Sequence, residues 1–286
     1  MVFCPAPVLP AASGPRIDLN ADVAEGFGAW DIGHDAELME IVTSANVACG
    51  FHAGDPVTMQ RLCRLAAAAG VAIGAHPGFN DLWGFGRRRI EMKPADIEPM
   101  VAYQIGALQA IAHGVGRPVT HVKAHGALYN MAAVDPAYAT AIARAVKAVD
   151  PALVFVGLAG SALIRAGEEQ GLRVAREAFA DRRYQDDGTL APRAMPGAVL
   201  TEPEAVGRQA VGIVLEGAVT SVGGRRVAVA ADTLCIHGDE PTSVTVARAT
   251  RAALEAAGIV VAPVVAPAPV VPALADDAPP GLDATA

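Results

Sequence analysis

Seven times along this chain a short β-forming run gives way to a polar or glycine-rich turn and then to a helical stretch, and that alternation limits its possible folds more than any other feature. The runs are Ile17–Asn20, Val42–Cys49, Val71–Ala75, Val119–Ala124, Leu153–Gly157, Arg173–Ala178 and Thr233–Ile236. Between them lie helix start signals. Asp55-Pro56 and Asp135-Pro136 each supply an N-cap followed by proline at the first helical position. Pro94 opens a third helix that stops at Gly114, Glu202-Pro203 a fourth, and Asp239 to Pro241 a last one ending at Gly258. Strands that alternate with helices build a parallel sheet, because each helix carries the chain back to the end where the next strand starts.

A parallel sheet of this size either closes on itself or stays open, and the polar residues decide between the two. Asn20, Asp22 and Glu25 follow the first run, Asn46 and His52 the second, and His76 the third. Lys123 and His125 close the fourth, Asp181 follows the sixth, and His237 and Asp239 follow the seventh. In a closed barrel all these positions meet at the C-terminal rim, where the active sites of this architecture lie. An open sheet would spread them along an edge and use mainly its switch point. The expectation is a single-domain TIM-like (β/α) barrel over residues 16–261, with a proline-rich arm at 1–15 and a disordered Ala/Pro-rich tail at 262–286.

Several motifs carry chemistry. Alternation puts Asp18, Asn20 and Asp22 on one side of an extended run, and buried polar groups in such a run need partners. Lys123 shares a side with His121 and His125, and a lysine inside a β-run is costly to bury without a task. His121, deeper in the run, reads as a core hydrogen-bonding residue. His52 lies between Gly50 and Gly54, and His76 ends a wholly apolar run. Asp55 has a sufficient task as a helix cap. Arg87 and Arg88 suit either a clamp on a carboxylate or phosphate or a solvated basic patch. Glu177, Asp181, Arg182, Asp187 and Arg193 populate a long polar segment of the kind that forms lids.

Other classes are disfavoured. A net charge of -8 argues against nucleic acid as the main partner. No apolar stretch reaches the length of a membrane span. The four cysteines form no C-x-x-C pair, a usage that suits a reducing cytoplasm. A phosphate-binding P-loop, a dinucleotide-binding glycine motif and a G-x-S-x-G elbow are all absent from the sequence. The inventory of His, Asp, Glu, Lys and Arg fits acid–base hydrolysis, with or without a metal.

Six ordered blocks resemble the signatures of the LamB/YcsF family: DLNADVAEGFG, TSANVACGFHAGDP, GVAIGAHPGFNDLWGFGRR, HVKAHGALYN, FADRRYQDDGTLAPR and ADTLCIHGD. Ala24 stands where the family usually has Gly, and Ala124 where it usually has Pro. The resemblance implies a distorted seven-stranded barrel. It implies ATP-dependent cleavage of the lactam of 5-oxoproline to L-glutamate, releasing ADP and phosphate, with ATP as co-substrate and two further 5-oxoprolinase subunits, B and C, as partners. On that reading Asp22 with His52 or His76 would direct water. Lys123 would offset developing charge, and His125 or His237 would protonate the leaving nitrogen. Asn20, Glu25, Asn46, Arg87, Arg88 and Asp181 would bind substrate. The first block also resembles the opening of metal-dependent amino-sugar deacetylases, which would make Asp22, His52 and His76 the candidate ligands of a divalent metal. Two alternatives follow: such a deacetylase, or a non-catalytic binding or regulatory subunit.

Overall fold

The core strands run in the order of the sequence and then close. In a computed structural model describing residues 14–30, 32–236 and 243–266, β1 (Arg16–Val23), β2 (Ser44–Ala48), β3 (Ala72–His76), β4 (Val119–Lys123), β5 (Val154–Leu158) and β6 (Val174–Phe179) pair in parallel, each with the next. After an antiparallel hairpin of β7 (Ala218–Thr220) and β8 (Arg226–Ala228), β9 (Thr233–Ile236) pairs with both β6 and β1. Thr233 sits opposite Glu177 on one side and Asp18 on the other, so the seven-stranded barrel is shut. The expected barrel is therefore the observed one.

The helices pack outside. They are α1 (Asp35–Met39), α2 (Pro56–Ala69), α3 (Pro94–Gly114), α4 (Gly126–Val134), α5 (Pro136–Val149), α6 (Ala162–Glu169), α7 (Pro203–Glu216) and α8 (Ser243–Ala256). Their starts follow the sequence signals. Asp55 caps α2 by accepting from the amides of Val57 and Thr58, and Asp135 caps α5 by accepting from that of Ala137. Outward-facing Ile17, Leu19, Ala21 and Val23 of β1 join the aliphatic layer between strands and helices. The inward side of β1 is polar instead. Its Asp18, Asn20 and Asp22 bond to Ser44 and Asn46 of β2, and Asn20 also bonds to Glu177 of β6 and Thr233 of β9. A hydrogen-bonded lumen of this kind tolerates no unmatched group, because each buried polar atom must recover the bonds it gave up in water.

Two features close the N-terminal end. β10 (Val260–Val261) adds to β1 alongside Arg16 and Ile17. Just beyond it, Val264 and Val265 pack on Val154, Val156 and Ala175. Val264 also lines a void of about 10 Å³ with Asp18, Ser44 and His121. Among the described residues no helix is long and apolar enough to cross a membrane.

Candidate active site

Lys123, the last residue of β4, is the centre of the rim chemistry. Its Nζ donates to Asp22 Oδ1 at 2.9 Å and Glu177 Oε1 at 2.8 Å, with Cys235 Sγ at 3.1 Å and Asn20 Oδ1 at 3.4 Å. It lies 5.4 Å from the centroid of the Phe179 ring. Burial alone would discharge the ammonium, but Asp22, Cys235 and Glu177 outweigh it and hold the pKa well above that of an ordinary lysine. Glu177 is fully buried and takes a second bond, 2.6 Å, from the Tyr129 hydroxyl. Burial and the adjacent Glu177 push the pKa of that phenol well up, so it stays a donor. Asn46 Nδ2 fixes Asp22 from the other side at 2.9 Å. His121 Nε2 donates to Asn46 Oδ1 at 3.1 Å, and burial, Lys123 and His76 depress its pKa to about 3.

Beside the lysine stand three histidines. His76 Nδ1 is 2.8 Å from the Lys123 carbonyl oxygen, and its Nε2 faces Asp22 Oδ2 at 3.3 Å and His125 Nδ1 at 3.0 Å. His125 Nε2 is 2.8 Å from the Phe85 carbonyl oxygen. The His52 ring stacks on His125 with centroids 3.7 Å apart. Burial, followed by neighbouring histidines, drives the pKa of both His52 and His125 well below that of an ordinary histidine. Glu25 Oε1 lies 3.5 Å from His125 Nδ1 and 3.7 Å from His52 Nε2. One nitrogen or oxygen from each of Glu25, His52, His76 and His125 falls within a 4.8 Å span.

Two concavities meet at this cluster. A cavity of about 480 Å³ is floored by Asp22, His76, Lys123 and His125, and Arg87, Arg182 and Arg193 line its walls. A second, largely apolar groove of about 450 Å³ ends at Glu25 and His52, and Phe27, Leu82 and Phe85 help to line it. The chain's two tryptophans flank that groove, Trp30 at 72% and Trp83 at 97% exposure.

Most residues singled out from sequence come together here. Asn20, Asp22, Asn46 and Lys123 form one bonded group, and Glu25, His52, His76 and His125 form the adjoining one. Arg87 lines the cavity, whereas the exposed Arg88 turns away to pair with Asp81. Asp181 is buried at the head of the long segment, outside the set lining the cavity. His237 lies outside the described residues. Arg182 and Arg193, read from sequence only as part of a polar loop, reach the cavity wall. Tyr129 and Phe179 escape sequence reasoning altogether. Aromatic residues amid apolar neighbours carry no local mark of a site, and only the barrel register brings them to Glu177 and Lys123.

The LamB/YcsF family profile matches residues 17–268. The A component of 5-oxoprolinase from Heliobacterium modesticaldum is 54% identical over 246 residues, covering 86% of this chain and 97% of its own. Its counterpart of the same name from Rhodopseudomonas palustris strain CGA009 is 57% identical over 249 residues, covering 87% and 98%. Among solved structures, a lactam utilization protein from Thermus thermophilus superposes with a TM-score of 0.82 at 52% identity, over 86% of this chain and 99% of that one.

Proposed function

Since the chain belongs to the LamB/YcsF family, we propose that it is the component of an ATP-dependent 5-oxoprolinase that holds 5-oxoproline while its lactam is opened to L-glutamate. The observation that carries this reading is a buried lysine between two carboxylates at the floor of an arginine-lined cavity, in a chain more than half identical to relatives named for that reaction.

The substrate is a small anion with an unreactive amide. Arg87, Arg182 and Arg193 would hold its carboxylate, since guanidinium groups match that shape with paired bonds. The lactam is resonance-stabilised, so phosphoryl transfer from ATP to its oxygen, with ADP leaving, makes the ring carbon electrophilic. Water then adds to that carbon. The C–N bond breaks as the nitrogen takes a proton, leaving an acyl phosphate that a second water converts to glutamate and phosphate. Lys123 would offset negative charge on the oxygen. Asp22, fixed by Lys123 and Asn46, would accept the proton of the attacking water and return it to the departing nitrogen. With no P-loop in this chain, partner subunits B and C would supply nucleotide contacts.

The test is reconstitution with the candidate partner subunits. Glutamate release from 5-oxoproline should require ATP and every component of the complex, and should match ADP formed one for one. Glutamate released by this chain alone without ATP, or turnover of an N-acetylated amino sugar in place of the lactam, would overturn the assignment.

A further inference from the structure

The two carbonyl contacts of the histidine pair settle where its ring protons sit. A carbonyl oxygen only accepts, so His76 carries its proton on Nδ1, toward the Lys123 carbonyl, and His125 carries its proton on Nε2, toward the Phe85 carbonyl. The nitrogens left over, His76 Nε2 and His125 Nδ1, then present lone pairs to each other at 3.0 Å. A carboxylate oxygen of Glu25 lies 3.5 Å from one of them, and His52 adds a fourth group to the same spot. His52 is fully buried, and among the described residues neither of its ring nitrogens has a hydrogen-bond partner. Electron-pair donors collected in this way repel unless something positive lies among them.

We propose that His52, His76, His125 and Glu25 form a binding site for one divalent first-row transition-metal ion, zinc being the archetype. The spacing fits. An ion with ligand bonds of about 2.1 Å separates its tetrahedral ligands by about 3.4 Å; three of the pairs here lie 3.0, 3.5 and 3.7 Å apart, and all four ligand atoms fall within 4.8 Å of one another. The donor set fits as well, because a site dominated by three imidazoles suits zinc, copper, iron or nickel better than magnesium or calcium. The backbone carbonyls behind His76 and His125 fix each ring in its ligand tautomer, the usual outer support of a metal-bound histidine. Asp22 falls outside the group whose ligand atoms all lie within 4.8 Å of one another: its Oδ1 is held by Lys123 and Asn46, and its Oδ2 borders the group only through His76 Nε2 at 3.3 Å. The site differs in this from the Asp22, His52 and His76 trio suggested by the resemblance to deacetylases. It lies in the wall between the cavity and the apolar groove, so an ion there borders both.

The binding can be read without any assay of turnover. Chelator-treated full-length protein is titrated calorimetrically with Zn²⁺ and, in parallel, with Mg²⁺. The expected result is one Zn²⁺ per chain in preference to Mg²⁺, with a rise in melting temperature on loading. His52→Ala and Glu25→Gln should each weaken Zn²⁺ binding at least tenfold, roughly the loss seen for metal-site changes. His34→Ala, at an exposed histidine outside the cluster, should leave it unchanged. Loading with Co²⁺ should give visible absorption bands that His52→Ala alters. Circular dichroism of the metal-free variants checks folding, and His52→Gln serves if His52→Ala does not fold. Absence of stoichiometric Zn²⁺ binding would overturn the site, leaving a proton on His76 Nε2 as what relieves the contact. So would binding that survives both substitutions, or binding lost in Asp22→Asn but kept in His52→Ala.

Discussion

Lys123 shows how far single residues can be read in advance. A lysine in a β-run signals a buried charge, and alternation turns Asp22 to the polar side of its own run, so both residues are legible as members of the site, though not their contact. Glu177 is not, because it is a barrel neighbour 54 positions downstream in a run that local patterning leaves ambiguous. Removing the lysine strands two buried carboxylates. Lys123→Met should abolish turnover of the reconstituted complex and lower unfolding stability by about 3–5 kcal/mol in denaturant titrations. Adding Glu177→Gln should recover part of that stability and none of the activity. Ala24 offers the opposite case. It is fully buried, and its φ of 60° lies in the left-handed region. A side chain there costs about 1 kcal/mol, so Ala24→Gly should be neutral or raise the melting temperature by a few degrees. A clear drop in melting temperature would contradict that account.

At the scale of elements, the strands and the capped helices are legible because proline, aspartate and glycine mark their ends chemically. The β7–β8 hairpin and β10 are not, since two- and three-residue strands are too short for a periodic pattern. Nor are α4 and α6, and α4 shows why: it begins at Gly126 directly from a strand, without a capping side chain. The β3–β4 pair shows what packing demands of one position. A Cβ on Gly74 would fall 2.1 Å from His121 Nε2, and the register shifts between Ile73 and Gly74. Gly74→Ala should therefore push His121 off Asn46 and destabilise the fold by about 1–3 kcal/mol, the range for overpacking a filled core. Equilibrium unfolding measures it, and a smaller residue at 121 should partly rescue the variant.

For the molecule as a whole, the polar filling of the barrel couples stability to acidity. With its folded pKa near 3 against an ordinary 6.5, His121 stays neutral in the folded chain while the unfolded chain takes up its proton. The unfolded state then binds more protons between those values, so this contribution is complete above about pH 6.5 and is lost as pH falls toward 3. Over that window one such histidine removes up to about 1.4 kcal/mol of stability per pH unit. Denaturant midpoints at pH 7, 5.5 and 4.5 should fall accordingly, and His121→Gln should flatten the slope. Closure of the seven strands is expected from the ionisable residues that follow nearly every run, and the family resemblance implies it independently. The run pattern alone leaves closure open, because no local residue says that Thr233 will face both Asp18 and Glu177.

The packing of Val264 and Val265 against Val154, Val156 and Ala175 makes the cylinder a cup and not a pipe. Reactant and product of the proposed reaction must then share one doorway, and glutamate has to vacate the chamber before the next lactam can enter. Glutamate should accordingly behave as a competitive inhibitor toward 5-oxoproline in initial-rate kinetics, and an uncompetitive pattern, which needs glutamate to bind while the lactam is already in place, would contradict a shared chamber.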